Sequence, residues 1–302
     1  MEWRGVIPAM TTAFDENHEV DYELAGEHCR WLIQNGCTGV VALGSLGEGA
    51  TLTLSEKSRI LTTCVNSLQG RAPVVAGISA LSTAEAVALA KTAEHAGCSG
   101  LMVLPPYVYL GDWRETKAHV SAIVSATGLS CLLYNNPIAY TVDFVPHQVK
   151  ELLAEHGNLR AIKESSADVR RVAALRALLG ADFKILSGVD DAIVESIYMG
   201  ASGWIAGLAN AFPKESVELF DLAAKGEKEK AFELYQWFLP LLRMDTVPKF
   251  VQLIKLAQQE IGRGSARVRP PRLQLEGAEL AAARAVIGAA LSQRIGRYAT
   301  AQ

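Results

Sequence analysis

The chain has 302 residues, 50% of them hydrophobic and 20% charged, and its 29 Lys+Arg against 32 Asp+Glu leave a formal charge of −3. At that length one compact core removes roughly three quarters of the unfolded chain's surface from water, so folding needs neither a disulfide frame nor a metal staple. A near-neutral balance excludes the strongly basic face that nucleic acid calls for, and no run of about eighteen uncharged apolar residues offers a membrane span. Met1-Glu2-Trp3-Arg4-Gly5 lacks the basic-then-apolar pattern of a secretory leader. Cys29, Cys37, Cys64, Cys98 and Cys131 are odd in number, scattered and never in C-x-x-C spacing. That pattern argues against a disulfide frame or a thiolate zinc site, and the expected compartment is a reducing cytoplasm.

In chain order, short runs rich in Val, Ile and Leu occur at Gly5–Met10, Gly39–Leu43, Pro73–Gly77, Gly100–Leu104, Ser130–Tyr134, Leu159–Lys163, Phe183–Ser187 and Gly203–Ala206. Each is too continuously apolar for a half-exposed antiparallel strand and reads as a buried parallel one. Between them, apolar residues return every three or four positions at Tyr22–Gln34, Leu54–Leu68, Ala84–Ala96, Ala167–Leu179 and Ala192–Met199, the period of helices packed on a sheet. Ser55, Ser82 and Ser166 are expected to cap three of these helices. Strand starts about 20–35 residues apart, eight times over, fit the α/β class and a (β/α)8 TIM barrel better than an open doubly wound sheet. Helical patterns then continue alone through Pro213–Lys225, Lys228–Leu242, Pro248–Ile261 and Glu276–Ser292. The expected organisation is a catalytic barrel over 1–225 and a C-terminal helical extension over 226–302. The basic, Pro-containing stretch Gly262–Pro271 reads as a solvated linker.

In such a barrel the chemistry belongs where strands end and βα loops begin. The sixth run ends in Lys163 among apolar neighbours. Desolvation disfavours an ammonium, and a free amine attacks carbonyls, which makes this the candidate nucleophile; read from position alone, a lysine snorkelling to solvent fits as well. One βα unit earlier, Tyr134 closes the fifth run, a phenol that either passes protons or packs in the core. The second run leads into Gly44-Ser45-Leu46-Gly47-Glu48-Gly49, a turn whose N–H groups suit an anion, although by itself it reads first as a plain tight turn. Its order, G-x-x-G-x-G, fits neither a dinucleotide fingerprint nor a P-loop. Tyr107 follows the fourth run. None of the six histidines falls at H-x-H or H-E-x-x-H spacing, so no catalytic metal is expected.

Taken together, Gly5-Val-Ile-Pro-Ala-Met-Thr-Thr-Ala-Phe14, Gly44-Ser-Leu-Gly-Glu48, Tyr134-Asn-Asn-Pro137, Ala161-Ile-Lys-Glu-Ser165, Gly203-Trp-Ile-Ala-Gly-Leu-Ala-Asn210 and Val268-Arg-Pro-Pro-Arg-Leu273 resemble, in order, the motifs of the dihydrodipicolinate synthase / N-acetylneuraminate lyase family. The resemblance covers essentially the whole chain. It implies a homodimer or homotetramer that acts on a small molecule; no cofactor is expected. Lys163 would form a Schiff base with a 2-oxo acid such as pyruvate, and Tyr134 would relay protons. Ser45 matches the relay hydroxyl, Gly44, Leu46 and Gly47 the carboxylate cradle, Tyr107 a tyrosine shared across a dimer interface, and Ile205 a backbone position facing the ligand.

Two positions depart from the synthases within that family. Ala139 stands where they carry an arginine for the second substrate's carboxylate, and Leu46 stands where they carry threonine. Ile138, Ala139 and Tyr140 also read as too apolar for the long polyol of a neuraminate lyase. With Val189-Asp-Asp191 and Asp245-Thr-Val-Pro-Lys-Phe250, the segment Tyr134–Tyr140 most resembles the 1-pyrroline-4-hydroxy-2-carboxylate deaminases of hydroxyproline breakdown. That activity is the first expectation, with 4-hydroxy-tetrahydrodipicolinate synthase as its alternative. A sensor that binds a 2-oxo acid without turnover is the non-enzymatic alternative, opposed by the joint presence of Lys163, Tyr134, Ser45 and Tyr107.

Overall fold

A computed structural model describes residues 1–107 and 109–298. Eight strands run through it: β1 (Gly5–Pro8), β2 (Val40–Ala42), β3 (Val74–Ile78), β4 (Gly100–Val103), β5 (Ser130–Asn135), β6 (Leu159–Glu164), β7 (Lys184–Ser187) and β8 (Gly203–Ala206). All pair in parallel, in the order β1-β8-β7-β6-β5-β4-β3-β2. A parallel bridge between Ala9 and Val41 brings the first and second strands together, supported by the Thr38 N–H donating to the Val6 carbonyl at 2.9 Å. The result is the expected TIM barrel. Its strands are buried on both faces, which is why they read as unbroken apolar runs.

Helices α1 (Tyr22–Gln34), α2 (Leu54–Leu68), α3 (Thr83–His95), α4 (Trp113–Ser125), a single turn α5 (Pro137–Tyr140), α6 (Pro146–Glu155), α7 (Val169–Leu179), α8 (Ile193–Tyr198) and α9 (Pro213–Ala224) surround the strands. Two of the three expected caps are displaced. Thr53, not Ser55, starts α2: its hydroxyl accepts from the Glu56 N–H at 3.2 Å while the Glu56 carboxylate accepts from the Thr53 N–H at 2.8 Å, a reciprocal box that a serine already inside the helix cannot form. Asp168, not Ser166, starts α7 by accepting from the Arg170 N–H at 3.0 Å. Ser82 caps α3 as expected.

Beyond the barrel, α10 (Lys228–Leu242), α11 (Phe250–Glu260) and α12 (Gly277–Tyr298) continue one hydrophobic core with it. Phe238 on α10 meets Phe212 edge to face, with centroids 5.9 Å apart. The stretch read as a solvated linker is docked instead. The Arg269 guanidinium donates to Glu56 at 2.8 Å and to the His18 carbonyl at 2.6 Å, and lies 4.6 Å from the Phe14 ring centroid. Local composition hides this because both partners lie some two hundred positions upstream. Among the described residues no helix is long and apolar enough to cross a membrane.

The extension reaches the barrel's glycine turn through a buried ion pair. The Lys255 ammonium on α11 donates to Glu48 at 2.9 Å, their side chains 2% and 0% exposed, and the Arg269 N–H donates to the second carboxylate oxygen at 3.0 Å. Removing one partner strands a desolvated charge. Glu48→Ala should therefore cost about 3–5 kcal/mol of folding stability, measured by denaturant unfolding; a loss under about 1 kcal/mol would mean that water reaches Lys255.

On α1, the buried His28 donates from Nε2 to Asn210 Oδ1 at 2.9 Å, a direction fixed because the Asn210 amide nitrogen is already donating to the Ala9 and Gly207 carbonyls. Burial lowers the His28 pKa to about 4 from its ordinary 6.5. The native state thus binds fewer protons than the unfolded chain between those values, so this contribution is complete above the unfolded value and is lost as pH falls through the folded one. At pH ~4.5 the loss amounts to roughly 2–3 kcal/mol. Urea unfolding of His28→Gln near neutral pH and near 4.5 should lack that increment; an unchanged pH dependence would refute it.

Candidate active site

Parallel register sets Tyr134 beside Lys163 and Asn135 beside Glu164 at the C-terminal ends of β5 and β6. The Lys163 amine nitrogen lies 4.0 Å from the Tyr134 ring centroid, and both residues are buried, at 7% and 5% exposure. Gly188, just past β7, makes room for the lysine stem. A Cβ there would sit 2.5 Å from Lys163 Cε and 2.0 Å from Ser165 Oγ.

The strand ends are held by a second layer of polar contacts. The Asn135 amide donates to Glu164 at 3.0 Å and to Asp143 at 3.1 Å, and its carbonyl accepts from the Phe144 N–H at 2.9 Å. Arg171 grips Asp143 through both nitrogens, at 2.8 and 2.9 Å, and holds that carboxyl below its usual range. Burial pushes the Glu164 carboxyl up.

Three phenols cluster at the lysine's end of the barrel. Tyr140, the last residue of α5, packs edge to face on Tyr134 with centroids 5.7 Å apart and tilts against Tyr107 at 5.9 Å. Its hydroxyl shares a hydrogen bond with Ser45 Oγ. Burial raises the Tyr140 phenol, the neighbouring Tyr134 adding to it, and burial also raises Tyr107. The Asn136 amide donates to the Tyr134 hydroxyl at 3.1 Å.

Ser45 is carried by the turn after β2. Leu43 and Glu48 adopt left-handed backbone, with φ of 66° and 54°. A Cβ on Gly47 would meet the Met10 carbonyl oxygen at 2.8 Å, and one on Gly49 the Leu43 oxygen at 2.2 Å, so the turn is too tight for side chains there. Thr12 donates to the Gly47 carbonyl at 2.6 Å.

Two acidic groups also lie near the lysine. After β7, Asp190 accepts from Trp204 Nε1 at 2.8 Å and from the Leu208 N–H at 2.7 Å. Burial pushes its carboxyl up to about 6, against its hydrogen bonds and the Lys163 charge. Burial and Asp190 drive Asp245 well above the ordinary carboxylate range, again opposed by Lys163.

Of the residues expected at the site, Lys163, Tyr134, Tyr107 and Ser45 are thus linked through Tyr140, with Gly44, Leu46 and Gly47 in the same turn as Ser45. Ile205 is buried within β8. Ala139 is exposed on α5, its N–H donating to Asn136 Oδ1 at 3.0 Å, and Ile138 beside it is 71% exposed. The segment is therefore less apolar toward the site than its sequence suggests, since Tyr140 turns a hydroxyl inward. Sequence reasoning missed Tyr140, Gly188, Asp190 and Asp245 as site residues. The rule that flagged Lys163, inspection of strand ends, would also have flagged Gly188 and Asp190. Among the described residues no group of three or more His, Cys, Asp or Glu side chains is placed to hold a metal ion.

Comparisons with known proteins agree with this geometry. Residues 2–290 match the model of the dihydrodipicolinate synthetase family. The chain is 32% identical over 273 residues to 4-hydroxy-tetrahydrodipicolinate synthase of Methanocaldococcus jannaschii, covering 90% of this chain and 93% of that one. The structure superposes with a TM-score of 0.93 on the 4-hydroxy-tetrahydrodipicolinate synthase of Methylacidiphilum fumariolicum SolV, at 28% identity over 98% of both chains. YagE, a prophage protein of the same family from E. coli K12 solved in complex with pyruvate, gives 0.90 at 27% identity, over 96% of this chain and 99% of that one. A family match that runs through all eight strands and the extension leaves one conclusion: this chain belongs to the dihydrodipicolinate synthetase family and is a lyase of the Schiff-base, class I aldolase type.

Proposed function

We propose that Lys163 is the Schiff-base nucleophile and that its substrate is a 2-oxo acid of pyruvate type. The observation that carries this reading is the buried lysine amine 4.0 Å from the Tyr134 ring centroid, with Tyr134 packed on the Tyr140 that bonds Ser45. The amine attacks the C2 carbonyl, and the carbinolamine loses water once its oxygen is protonated. Tyr134 stands next to that oxygen's position, with Tyr140, Ser45 and Tyr107 as the path by which protons come and go. The amides of Leu46 and Gly47 cradle the substrate carboxylate, and the Ile205 backbone closes the far side. The resulting iminium draws electrons from C3, which permits carbon–carbon bond formation or elimination.

For the overall reaction, the named relatives favour 4-hydroxy-tetrahydrodipicolinate synthase over the pyrroline deaminase expected first from sequence. Ala139 keeps the deaminase as a second reading, because a methyl group cannot hold a second substrate's carboxylate. The exposed Leu81, Tyr109 and Leu110, at 70%, 58% and 72%, lie on the loops next to Tyr107 and support a homodimer or homotetramer that covers them. Five buried free cysteines suit a reducing cytoplasm.

Borohydride added to enzyme and pyruvate should fix the three-carbon unit on Lys163, located by peptide mass mapping, and Lys163→Ala should lose both adduct and turnover while staying folded. A label on another lysine would remove the nucleophile assignment. Supplying aspartate semialdehyde with pyruvate, and separately the hydroxypyrroline carboxylate, then separates the two reactions: condensation favours the synthase, and release of ammonia the deaminase.

Tyr134→Phe should slow turnover by roughly 10²–10⁴-fold if its phenol transfers protons. Tyr140→Phe, which breaks the bond to Ser45, should slow it in the same direction, and combining it with Ser45→Ala should add little. Full additivity of that pair would show that the two hydroxyls act independently.

A further inference from the structure

One carboxyl near the lysine has no job in the scheme above. Asp245 follows α10, yet its side chain folds back onto the end of β8: a Cβ on Gly207 would lie 1.9 Å from its Oδ1 and 2.2 Å from its Cγ. Gly207 is thus bare where the carboxyl rests. Asp245 Oδ1 is buried, and none of the described residues offers it a hydrogen bond, whereas the adjacent Asp190 is saturated by Trp204, Gly207 and Leu208. An orphaned buried oxygen is costly, so its placement calls for a ligand that completes it.

From this placement, resting on the Schiff-base reading of Lys163, we propose that Asp245 is a catalytic acid that touches the substrate at C4 and exchanges a proton with the oxygen on that carbon. Burial and the neighbouring Asp190 favour its protonated form, and Lys163 lies close enough for its charge to act on it. Once Tyr134 has taken a C3 proton from the iminium, the C3 electron pair of the enamine attacks the carbonyl carbon of the second substrate. The C3–C4 bond forms, the C=O π pair moves to oxygen, that oxygen takes the Asp245 proton, and the C2=N iminium returns. On a substrate bearing a C4 hydroxyl, the same proton leaves with the oxygen as water while the C3 pair becomes the C3=C4 bond. In both cases the carboxylate left behind faces a cationic iminium; the proton that Tyr134 took from C3 passes to solvent, and solvent returns one to Asp245. The site would accordingly select substrates by an oxygen at C4.

The test pairs two readouts on Asp245→Asn, the near-isosteric variant. Borohydride trapping of pyruvate on Lys163 should remain at the wild-type level, because imine formation does not use C4. Turnover, with aspartate semialdehyde or the hydroxypyrroline carboxylate as the probe, should fall by about 10²–10⁴-fold in kcat with little change in KM. Should Asp245→Asn fail to fold, Gly207→Ala serves instead, since its methyl group displaces the carboxyl without changing it, and the same split is expected. Turnover within about threefold of wild type overturns the proposal. So does a parallel loss of trapping, which would make Asp245 a positioning residue for Lys163, and so does a wild type that traps pyruvate but turns over neither probe. Failure of the wild type to trap pyruvate would instead defeat the Schiff-base reading on which the proposal stands.

Discussion

The ion pair between Glu48 and Lys255 is the contact on which the arrangement of the mouth depends. Two opposite charges withdrawn from water are tolerable only when each completes the other, and here the requirement is met across the joint between barrel and extension. Glu48 sits in left-handed backbone at the foot of the glycine turn, so anchoring its carboxyl fixes the turn itself. Fixing the turn sets Ser45, Ser45 holds the Tyr140 hydroxyl, and Tyr140 packs on the ring beside the lysine. A helical extension that looks peripheral is in this way coupled to the chemistry by a short chain of contacts.

The site itself separates two kinds of polar environment. On the side of β2 and β5 are neutral hydroxyls that burial keeps protonated and that can pass protons without carrying charge. On the side of β7 and β8 are carboxyls whose ionisation burial also resists. Lys163 lies between them, so a cationic iminium forming there would meet aromatic faces on one flank and latent negative charge on the other. That polarity suits an intermediate whose positive charge appears and disappears within each cycle.

Much of the fold was legible in sequence because a parallel barrel buries both faces of every strand and leaves uninterrupted Val, Ile and Leu runs. Lys163 and Tyr134 were legible because they end such runs. Tyr140 was not, since an aromatic residue beside Ile138 and Ala139 gives no sign that its hydroxyl turns toward Ser45, 95 positions earlier. Asp245 was visible only as part of a resembling segment, for a related reason: its place beside β8 is set by how α10 packs, which no local period records. Arg269 looked like linker charge for the same cause, its partners Glu56 and His18 lying 213 and 251 positions upstream. Cap placement failed at α2 and α7 by only two residues each, where Ser, Thr and Asp crowd together and small differences in backbone geometry decide among them.

Ring closure has a further consequence for how the molecule comes into being. The first strand finds its second neighbour only in Gly203–Ala206, and Glu48 meets its counter-charge 207 residues later. During synthesis on a ribosome, the amino-terminal half therefore leaves the exit tunnel with both sheet edges open and one acid unmatched. It must wait, exposed to chaperones and to wrong partners, until nearly the whole polypeptide has been delivered.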